Sequence, residues 1–403
     1  MGVGICNLSS SFVVRLPMED EADLIGWQMK HHLNKLSSRP CTFDELWQEF
    51  GQNKSLIYDD NQTCWSLDQM IMRIPASAIA DRNNLIRLGN GKKGGVYKAN
   101  ILLKHGQSCI VAIKTDHCYD GIFRMLSSWL YPNFVTGARN NYGDNLQSCL
   151  ATGAVRRPMG ASFLAGEYTG ALPFYAQTFV LKQKEHLSGL LPTWGVVVQD
   201  KDYDTSTRFL FSSYHASLYT RIVAVVMPLQ PFAFTLDENH VHERDLVRDL
   251  TVFYRGMIEA SKGLAFLHEM GLVHQDVKAK NLGVLKPSMS TFRNTTDTSV
   301  VLYDNSFLKR DTNFQCPENS LACNYCMEPP FFESGVRTQD LVKNSNSNVE
   351  SDTIHLKAVI RNTALQNRNE LDRARQAARI LENVVSDNEL IAALQNFVYE
   401  YTG

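Results

Sequence analysis

The chain has 403 residues, of which 44% are hydrophobic and 20% are charged, enough apolar material for one large core or for two domains. Its formal net charge of −2 at pH 7 gives no electrostatic reason to expect nucleic acid or an anionic membrane as a partner. No apolar run approaches the roughly 18 residues that a membrane-spanning helix needs, so no transmembrane segment is expected.

The nine cysteines indicate whether the protein resides in a reducing or an oxidising compartment of the cell. Their number is odd and the N-terminus shows no hydrophobic secretory segment, so we interpret them as reduced thiols of a soluble, cytoplasmic protein. Three of them, Cys316, Cys323 and Cys326, lie close together in the sequence. A zinc site there is a weaker alternative, because no nearby histidine supplies the fourth ligand.

Residues 1–80 are predicted to form a helical N-terminal extension. The charged, periodic segment 19–36 predicts one helix, and residues 42–45, with the sequence TFDE, have the form of a capping box. In such a box Thr42 and Glu45 each accept a hydrogen bond from the other's backbone N–H at the start of a helix. We interpret the extension as a packed helical flank, with a docking module for a substrate or partner as the alternative.

A glycine-rich segment follows the extension. It contains Gly89, Gly91, Gly94 and Val96 in the spacing G-x-G-x-x-G-x-V. Glycines let a backbone fold closely over phosphate groups because no Cβ stands in the way, and a valine at this spacing can pack on a purine ring. Taken alone, the pattern also fits a flexible hairpin turn.

Two apolar runs after this segment predict buried strands. The first, residues 111–114, ends in Lys114, whose ammonium group could be directed at the phosphates of a nucleotide. The second covers residues 221–227. Further along, residues 244–270 carry apolar side chains mostly at intervals of three and four, which predicts a long helix ended by Gly271.

The most informative stretch is residues 274–281, with the sequence HQDVKAKN. Asp276 can accept the proton of an attacking hydroxyl, Lys278 can neutralise a moving phosphoryl group, and Asn281 can offer a carbonyl oxygen to Mg²⁺. Each of these roles needs that residue type, so the spacing indicates phosphoryl transfer. His274 is interpreted as a buried structural histidine instead of an acid or base.

These ordered motifs resemble those of the eukaryotic-type protein kinase superfamily, over about residues 85–330. The resemblance implies an α+β, bilobal fold with a β-rich N-lobe at 81–228 and a short, mainly helical C-lobe at 229–403. An insertion of unassigned fold lies in the N-lobe at about residues 116–170. The implied activity is transfer of the γ-phosphate of ATP, with Mg²⁺, to serine or threonine hydroxyls of a protein substrate, since Lys278 is typical of that class.

The same resemblance implies roles for four residues. Lys114 is the lysine that holds ATP, and Asp304 joins Asn281 as a ligand of Mg²⁺. Met227 ends a predicted strand where the family has its connection to the adenine pocket, and an ordinary core methionine is the alternative there. ATP, Mg²⁺ and a protein substrate are therefore the expected partners.

The chain departs from the family pattern at several positions. Asn305 and Ser306 replace the Phe and Gly that follow the metal-binding aspartate, which bears on switching more than on catalysis. Gln275 replaces an arginine, so regulation by a phosphate on the following segment becomes doubtful. The glutamate that pairs with the ATP-binding lysine is hard to locate. We favour Gln177 for that position, and Glu167 is the alternative under a different alignment.

The C-terminal part shows a weaker resemblance. Residues 353–359 follow Asp352 in a run that resembles the family's central helix with its buried aspartate, and residues 371–385 and 386–397 predict two closing helices. Glu328 is the nearest equivalent of the family's Ala-Pro-Glu anchor, although the order is scrambled. These departures leave a pseudokinase or nucleotide-binding scaffold, or an atypical transferase on the same fold, as alternatives to an active kinase.

Overall fold

The computed structural model describes residues 39–51, 67–80, 85–90, 94–116, 166–181, 189–198, 222–230, 232–237, 249–285, 299–311 and 348–402. These residues form a mixed α+β fold, which confirms the expected class at that level. Several sequence predictions lie outside the described residues, namely Gly91, the helix at 19–36, nearly all of the insertion, the three clustered cysteines and Glu328.

The strands are β1 (Met72–Pro75), β2 (Ile86–Asn90), β3 (Gly94–Leu102), β4 (Ser108–Asp116), β5 (Gly195–Val198), β6 (Ile222–Met227), β7 (Phe232–Thr235), β8 (Leu272–Val273), β9 (Leu282–Leu285), β10 (Val300–Leu302) and β11 (Lys309–Arg310). The helices are α1 (Phe43–Phe50), α2 (Leu67–Met70), α3 (Leu172–Tyr175), α4 (Leu250–Glu269), α5 (Val349–Ala364), α6 (Leu371–Glu382) and α7 (Asp387–Thr402). A helical turn at 166–169 precedes α3, and a π-helical turn, Ala176–Val180, follows it.

One six-stranded sheet, in the order β1-β5-β6-β4-β3-β2, organises the first half of the described chain. Its neighbours pair antiparallel except β1 with β5, which are parallel. Strand β6 is buried along its whole length because it lies inside the sheet, and its continuous run of apolar residues is what such a position requires. This confirms the strand that the sequence predicts at 221–227.

Strand β1 corrects the boundary of the predicted extension. Residues 1–80 were assigned to a flank, yet Met72 of β1 pairs with Gly195 of β5, so part of this region belongs to the sheet. A four-residue edge strand whose partner lies far along the chain leaves little local signal in the sequence.

Helix α1 packs on α3 and the π-helical turn through aromatic rings. The predicted capping box is present, with Thr42 N–H donating to Glu45 Oε2 at 3.0 Å and Glu45 N–H donating to Thr42 Oγ1 at 3.3 Å. Phe43 lies edge-on to Phe174 with ring centroids 4.7 Å apart, and Trp47 lies 4.8 Å from Phe179. Helix α1 is therefore held against the rest of the fold by aromatic packing.

The thiol interpretation is wrong for one pair of cysteines. Cys41 and Cys109 form a disulfide between the segment that precedes α1 and strand β4. Two backbone hydrogen bonds flank the disulfide, from Cys41 N–H to Ile110 O at 2.9 Å and from Ile110 N–H to Arg39 O at 3.0 Å. Pairing of residues far apart in the sequence could not be read from cysteine number alone.

The second half of the described chain is mainly helical and is built around α4. This helix begins after Asp249, whose carboxylate accepts hydrogen bonds from the N–H groups of Thr251 and Val252, and it ends before Gly271, whose φ of 69° is left-handed. The predicted helix is thus confirmed over Leu250–Glu269. Helices α6 and α7 confirm the two predicted closing helices, and α7 packs on α4.

None of the helices in the described ranges is both long and apolar enough to cross a membrane.

A short segment, residues 189–191, lies between the sheet and α4. It pairs with β10, since Leu302 N–H donates to Gly189 O and Leu191 N–H donates to Leu302 O, each at 2.9 Å. It also touches the backbone of α4. A Cβ on Gly189 would lie 1.7 Å from Glu259 O, and one on Gly263 would lie 2.8 Å from the Gly189 carbonyl carbon. Only glycine permits this approach of backbone to backbone.

Candidate active site

Strand β4 places Lys114 at the centre of the candidate site. In the register of the sheet Lys114 lies opposite Val96 of β3, and Ala112 lies opposite Met227 of β6. Residues two apart on a strand, and residues directly opposite each other, share one face. The sequence-predicted residues Val96, Lys114 and Met227 therefore lie on one face of the sheet.

Lys114 joins groups from distant parts of the chain. Its ammonium Nζ is bonded to a carboxylate oxygen of Glu167, to Asp304 Oδ1 at 2.5 Å and to Ser306 Oγ at 3.1 Å. Asp304 lies 190 positions further along the sequence than Lys114. Lys114 and Asp304 belong to two different motifs, each predicted from the sequence to act on one nucleotide, and the structure brings these two residues together.

The charges of this cluster depend on one another. Burial lowers the pKa of Lys114, but the carboxylates of Glu167 and Asp304 outweigh burial and raise it overall, so the ammonium stays charged. Burial raises the pKa of Asp304, yet Lys114 and the Ser306 hydroxyl lower it well below its usual value. Asp304 is therefore an anion at neutral pH. Burial raises the pKa of Glu167, and the Asp304 charge adds to this, so the pKa remains raised although Lys114 and the Ser306 hydroxyl act to lower it.

Glu167, and not the favoured Gln177, provides the carboxylate opposite Lys114. Glu167 lies in the helical turn at 166–169, whereas Gln177 lies in the π-helical turn beyond α3, where its side chain is buried. The carboxylate that pairs with Lys114 thus belongs to the alternative that the sequence left open. The sequence could not identify this pair, because the long stretch between Lys114 and Glu167 gives no fixed spacing.

The segment around Asp276 forms the second part of the site. Lys278 Nζ lies 2.5 Å from Asp276 Oδ2, and Asn281 Nδ2 donates to Asp276 O at 2.8 Å and to Asp276 Oδ2 at 3.1 Å. Tyr303 N–H donates to Asn281 O at 2.9 Å and ties this segment to the turn that carries Asp304. The three residues predicted as base, cation and metal ligand are therefore in mutual contact.

A buried carboxylate holds the backbone ahead of Asp276. Asp352 of α5 accepts hydrogen bonds from His274 N–H at 2.5 Å and from Gln275 N–H at 3.0 Å, and its side chain is fully buried. This agrees with the buried aspartate expected near the start of that helix. Burial lowers the pKa of His274, so its ring is neutral, as a structural histidine requires.

Backbone strain is concentrated in the same place. Among the described residues, only Gln275, with φ of 64°, and Asp304, with φ of 70°, combine a positive φ with a side chain. Such conformations cost roughly 1–3 kcal/mol each and persist where the surroundings enforce them, often at functional sites. Here one of them, Gln275, directly precedes Asp276, and the other is Asp304 itself.

A small apolar cluster lies beside Lys114, separate from the main core. It consists of four buried apolar residues and four partly buried ones that pack against them. The buried members are Ala112, Leu191, Met227 and Val301, and the partly buried ones are Val96, Leu229, Leu285 and Tyr303. A flat apolar ring is the kind of ligand that such a surface could bind. Sequence reasoning found Val96 and Met227 and missed Leu191 and Leu285, which no motif marks.

The glycine-rich segment forms the hairpin next to this cluster. Gly89 of β2 pairs with Val96 of β3, and Asn90 pairs with Gly95, while Gly94 pairs with Asp116 of β4. A Cβ on Gly89 would meet nothing within 4 Å, so this glycine faces open space. The tip of this hairpin, residues 91–93, lies outside the described residues.

The oxygen atoms of the site fit Mg²⁺ bound together with a phosphate ligand. Asp304 uses Oδ1 for Lys114 and Ser306, and Asn281 uses its NH₂ group for Asp276, which leaves Asp304 Oδ2 and Asn281 Oδ1 as donors. Mg²⁺ prefers oxygen ligands and commonly takes one or two carboxylates, with phosphates and water completing its shell. The described residues contain no group of three or more His, Cys, Asp and Glu side chains that could hold a metal by themselves.

No protein-family model matches this chain, and a search of curated proteins finds no significant match.

Proposed function

We propose that the protein is an ATP- and Mg²⁺-dependent phosphotransferase of the protein kinase type, acting on serine or threonine hydroxyls of a protein substrate. The observation that carries this proposal is the contact between Lys114 and Asp304, since two motifs 190 positions apart meet with the pairing that the kinase resemblance implies. In this proposal the sheet forms the N-lobe and the helices around α4 form the C-lobe.

The nucleotide occupies the space between these two parts. The apolar cluster around Ala112 and Met227 holds the purine, and the β2–β3 hairpin covers the phosphates. Lys114 would bind phosphate oxygens of the nucleotide, and Asp304 and Asn281 would hold Mg²⁺, which would supply positive charge to neutralise the phosphates.

Asp276 orients the acceptor hydroxyl and takes its proton as the phosphoryl group moves. Asn281 holds the Asp276 carboxylate by its NH₂ group, and Asp352 holds the backbone just before it. Lys278 neutralises Asp276 before a substrate binds and is placed to contact the phosphoryl group during transfer. The Lys278 side chain is 44% exposed, so it has room to turn from the Asp276 carboxylate to the phosphoryl group.

Two measurements on the purified chain test the proposal. Thermal melting is followed with ATP in the presence and absence of MgCl₂, and transfer of radiolabelled γ-phosphate to a mixture of protein acceptors is measured in parallel. We expect a stabilisation by ATP that needs Mg²⁺ and is lost in Lys114→Ala. Folded protein whose melting is unaffected by millimolar MgATP would overturn nucleotide binding, and with it the activity.

A nucleotide-binding scaffold is the second candidate, and one contact favours it. The 2.5 Å ion pair between Lys278 and Asp276 engages the carboxylate that has to accept the proton. If that pair persists when nucleotide is bound, the protein binds ATP without transferring phosphate. Stabilisation by MgATP with no labelled product from any acceptor would support the scaffold.

A further inference from the structure

Ser306 occupies the middle of the Lys114 cluster. Its hydroxyl lies 2.7 Å from a carboxylate oxygen of Glu167, 2.6 Å from Asp304 Oδ1 and 3.1 Å from Lys114 Nζ, and its side chain is buried. A hydroxyl has one hydrogen to donate and can accept another bond. It therefore donates to one of the two carboxylates and accepts from the lysine.

The charges around Ser306 explain why a donor is needed there. The carboxylates of Glu167 and Asp304 are both bonded to the ammonium group of Lys114. One positive charge therefore faces two acidic groups. Like charges at this distance repel each other, and burial increases the cost. The Ser306 hydroxyl adds an uncharged donor between them, which reduces the repulsion without changing the net charge.

Matching glycines hold the turn of Ser306 against the segment that carries Glu167. A Cβ on Gly166 would lie 2.5 Å from Asn305 O and 2.6 Å from the Ser306 carbonyl carbon. A Cβ on Gly170 would lie 2.4 Å from Asn305 Nδ2. A Cβ at residue 166 would meet backbone atoms that cannot easily move, and one at residue 170 would push the Asn305 side chain out of its place, so the absence of side chains at both positions allows the turn to sit this close.

We propose that Ser306 is a positioning residue that holds Glu167, Lys114 and Asp304 in one fixed arrangement, with Asn305 seated on the two glycines. This inference rests on the proposed function for its effect on MgATP, because fixing Asp304 Oδ1 keeps the other oxygen ready for the metal. Ser306 has no positive φ, so its backbone does not need glycine there. A serine can therefore occupy the position and supply the hydroxyl.

Three serine variants test the proposal through Mg²⁺. In the full chain, the Mg²⁺ concentration that gives half-maximal ATP binding is measured for wild type, Ser306→Ala, Ser306→Thr and Ser261→Ala. Ser261 is the matched control, because its buried hydroxyl donates to Met257 O within α4. We expect Ser306→Ala to raise that concentration about tenfold, and the other two variants to stay within about twofold of wild type.

A nucleotide-free measurement separates failure of this inference from failure of the proposed function. Melting temperatures are compared for wild type, Ser306→Ala, Asp304→Asn and the double variant. The change in melting temperature of the double variant should differ from the sum of the changes in the two single variants, because the side chains of Ser306 and Asp304 interact directly. Additive shifts, or wild-type Mg²⁺ dependence in Ser306→Ala, would overturn the role of Ser306. Non-additive shifts in a protein that binds no MgATP would keep that role and overturn the kinase proposal.

Discussion

In the proposed mechanism, phosphotransfer depends on Asp276. Asp276→Asn keeps the size of the side chain and removes the carboxylate that takes the acceptor proton. We expect the transfer rate to fall by at least about a hundredfold, with ATP affinity within about threefold of wild type, because the carboxylate orients the hydroxyl and does not hold ATP. Single-turnover transfer and nucleotide titration measure the two quantities, and equal turnover in both proteins would remove Asp276 from the mechanism.

Substitutions of Glu167 and Gln177 test which of the two residues supports Lys114 in the proposed reaction. Glu167→Gln removes the charge that pairs with Lys114, so we expect the transfer rate to fall about tenfold or more. Gln177→Met, of similar size and also buried, serves as the control and should change the rate by less than about threefold. Steady-state rates at saturating MgATP decide between the two positions. A larger loss in Gln177→Met than in Glu167→Gln would restore the assignment that the sequence favoured.

The site residues that sequence analysis found are those fixed by short local spacing. Asp276, Lys278 and Asn281 lie within one segment, so their contacts follow from the motif itself. Glu167 and Ser306 have no such support. Glu167 follows a long segment without a recognisable motif, and the position of Ser306 between two carboxylates becomes visible only when three distant segments meet.

His268 links three helices through two carboxylates. It lies in α4, and its ring nitrogens lie 2.5 Å from Asp387 at the start of α7 and 3.5 Å from the fully buried Asp352 of α5. Thr353 also donates to Asp387, at 2.6 Å. Burial lowers the pKa of His268, but hydrogen bonds to Asp352 and Asp387 outweigh burial and raise it to about 9. The ring is therefore charged at neutral pH.

The raised pKa of His268 predicts a loss of stability in alkaline solution. A group whose pKa is higher in the folded state stabilises the fold fully below its unfolded value, about 6.5, and this contribution disappears as pH rises through about 9. The contribution is on the order of 3 kcal/mol. Melting temperature is measured from pH 6 to pH 10 for wild type and for His268→Gln.

We expect wild type to lose more stability than His268→Gln across that range, because the variant has no proton to release. Parallel pH profiles of the two proteins would contradict the assignment of the charge to His268. Folding of the variant is checked at pH 10, where the difference between the proteins should be smallest.

Elements with strong periodicity were predictable, and those defined by distant pairing were not. Helix α4 and strand β6 were found because their apolar residues repeat over many positions. Strand β1 was missed, since it is short and owes its place to a parallel partner that follows much later. The start of α4 at Leu250 depends on the cap by Asp249, which a search for periodicity does not detect.

At the scale of the whole molecule, the Cys41–Cys109 disulfide fixes the flank to the sheet. It closes a loop with a sequence separation of 68, for which loop entropy gives a stabilisation of about 4 kcal/mol at most. We expect reductant, or the double variant Cys41→Ser, Cys109→Ser, to lower the melting temperature by several degrees. Alkylation before and after reduction, read by mass spectrometry, identifies the bonded pair.

The double variant is also the control, because its melting should not respond to reductant if this disulfide is responsible. Alkylation of Cys41 and Cys109 in the untreated protein would show that the two are thiols, as sequence analysis expected. Since disulfides persist mainly in oxidising compartments, the same measurement on protein taken directly from cells bears on where the protein resides.

The crossing of residues 189–191 over α4 ties the sheet to the helical half of the described chain. This segment is covalently continuous with β5 of the sheet, yet it is hydrogen-bonded to β10 and touches α4 through backbone at Gly189 and Gly263. Backbone packed this closely leaves no space for a side chain at residue 189 or 263. A larger residue at either position would force the segment that leads into β5 away from α4, so the seating of the sheet on the long helix depends on these two glycines.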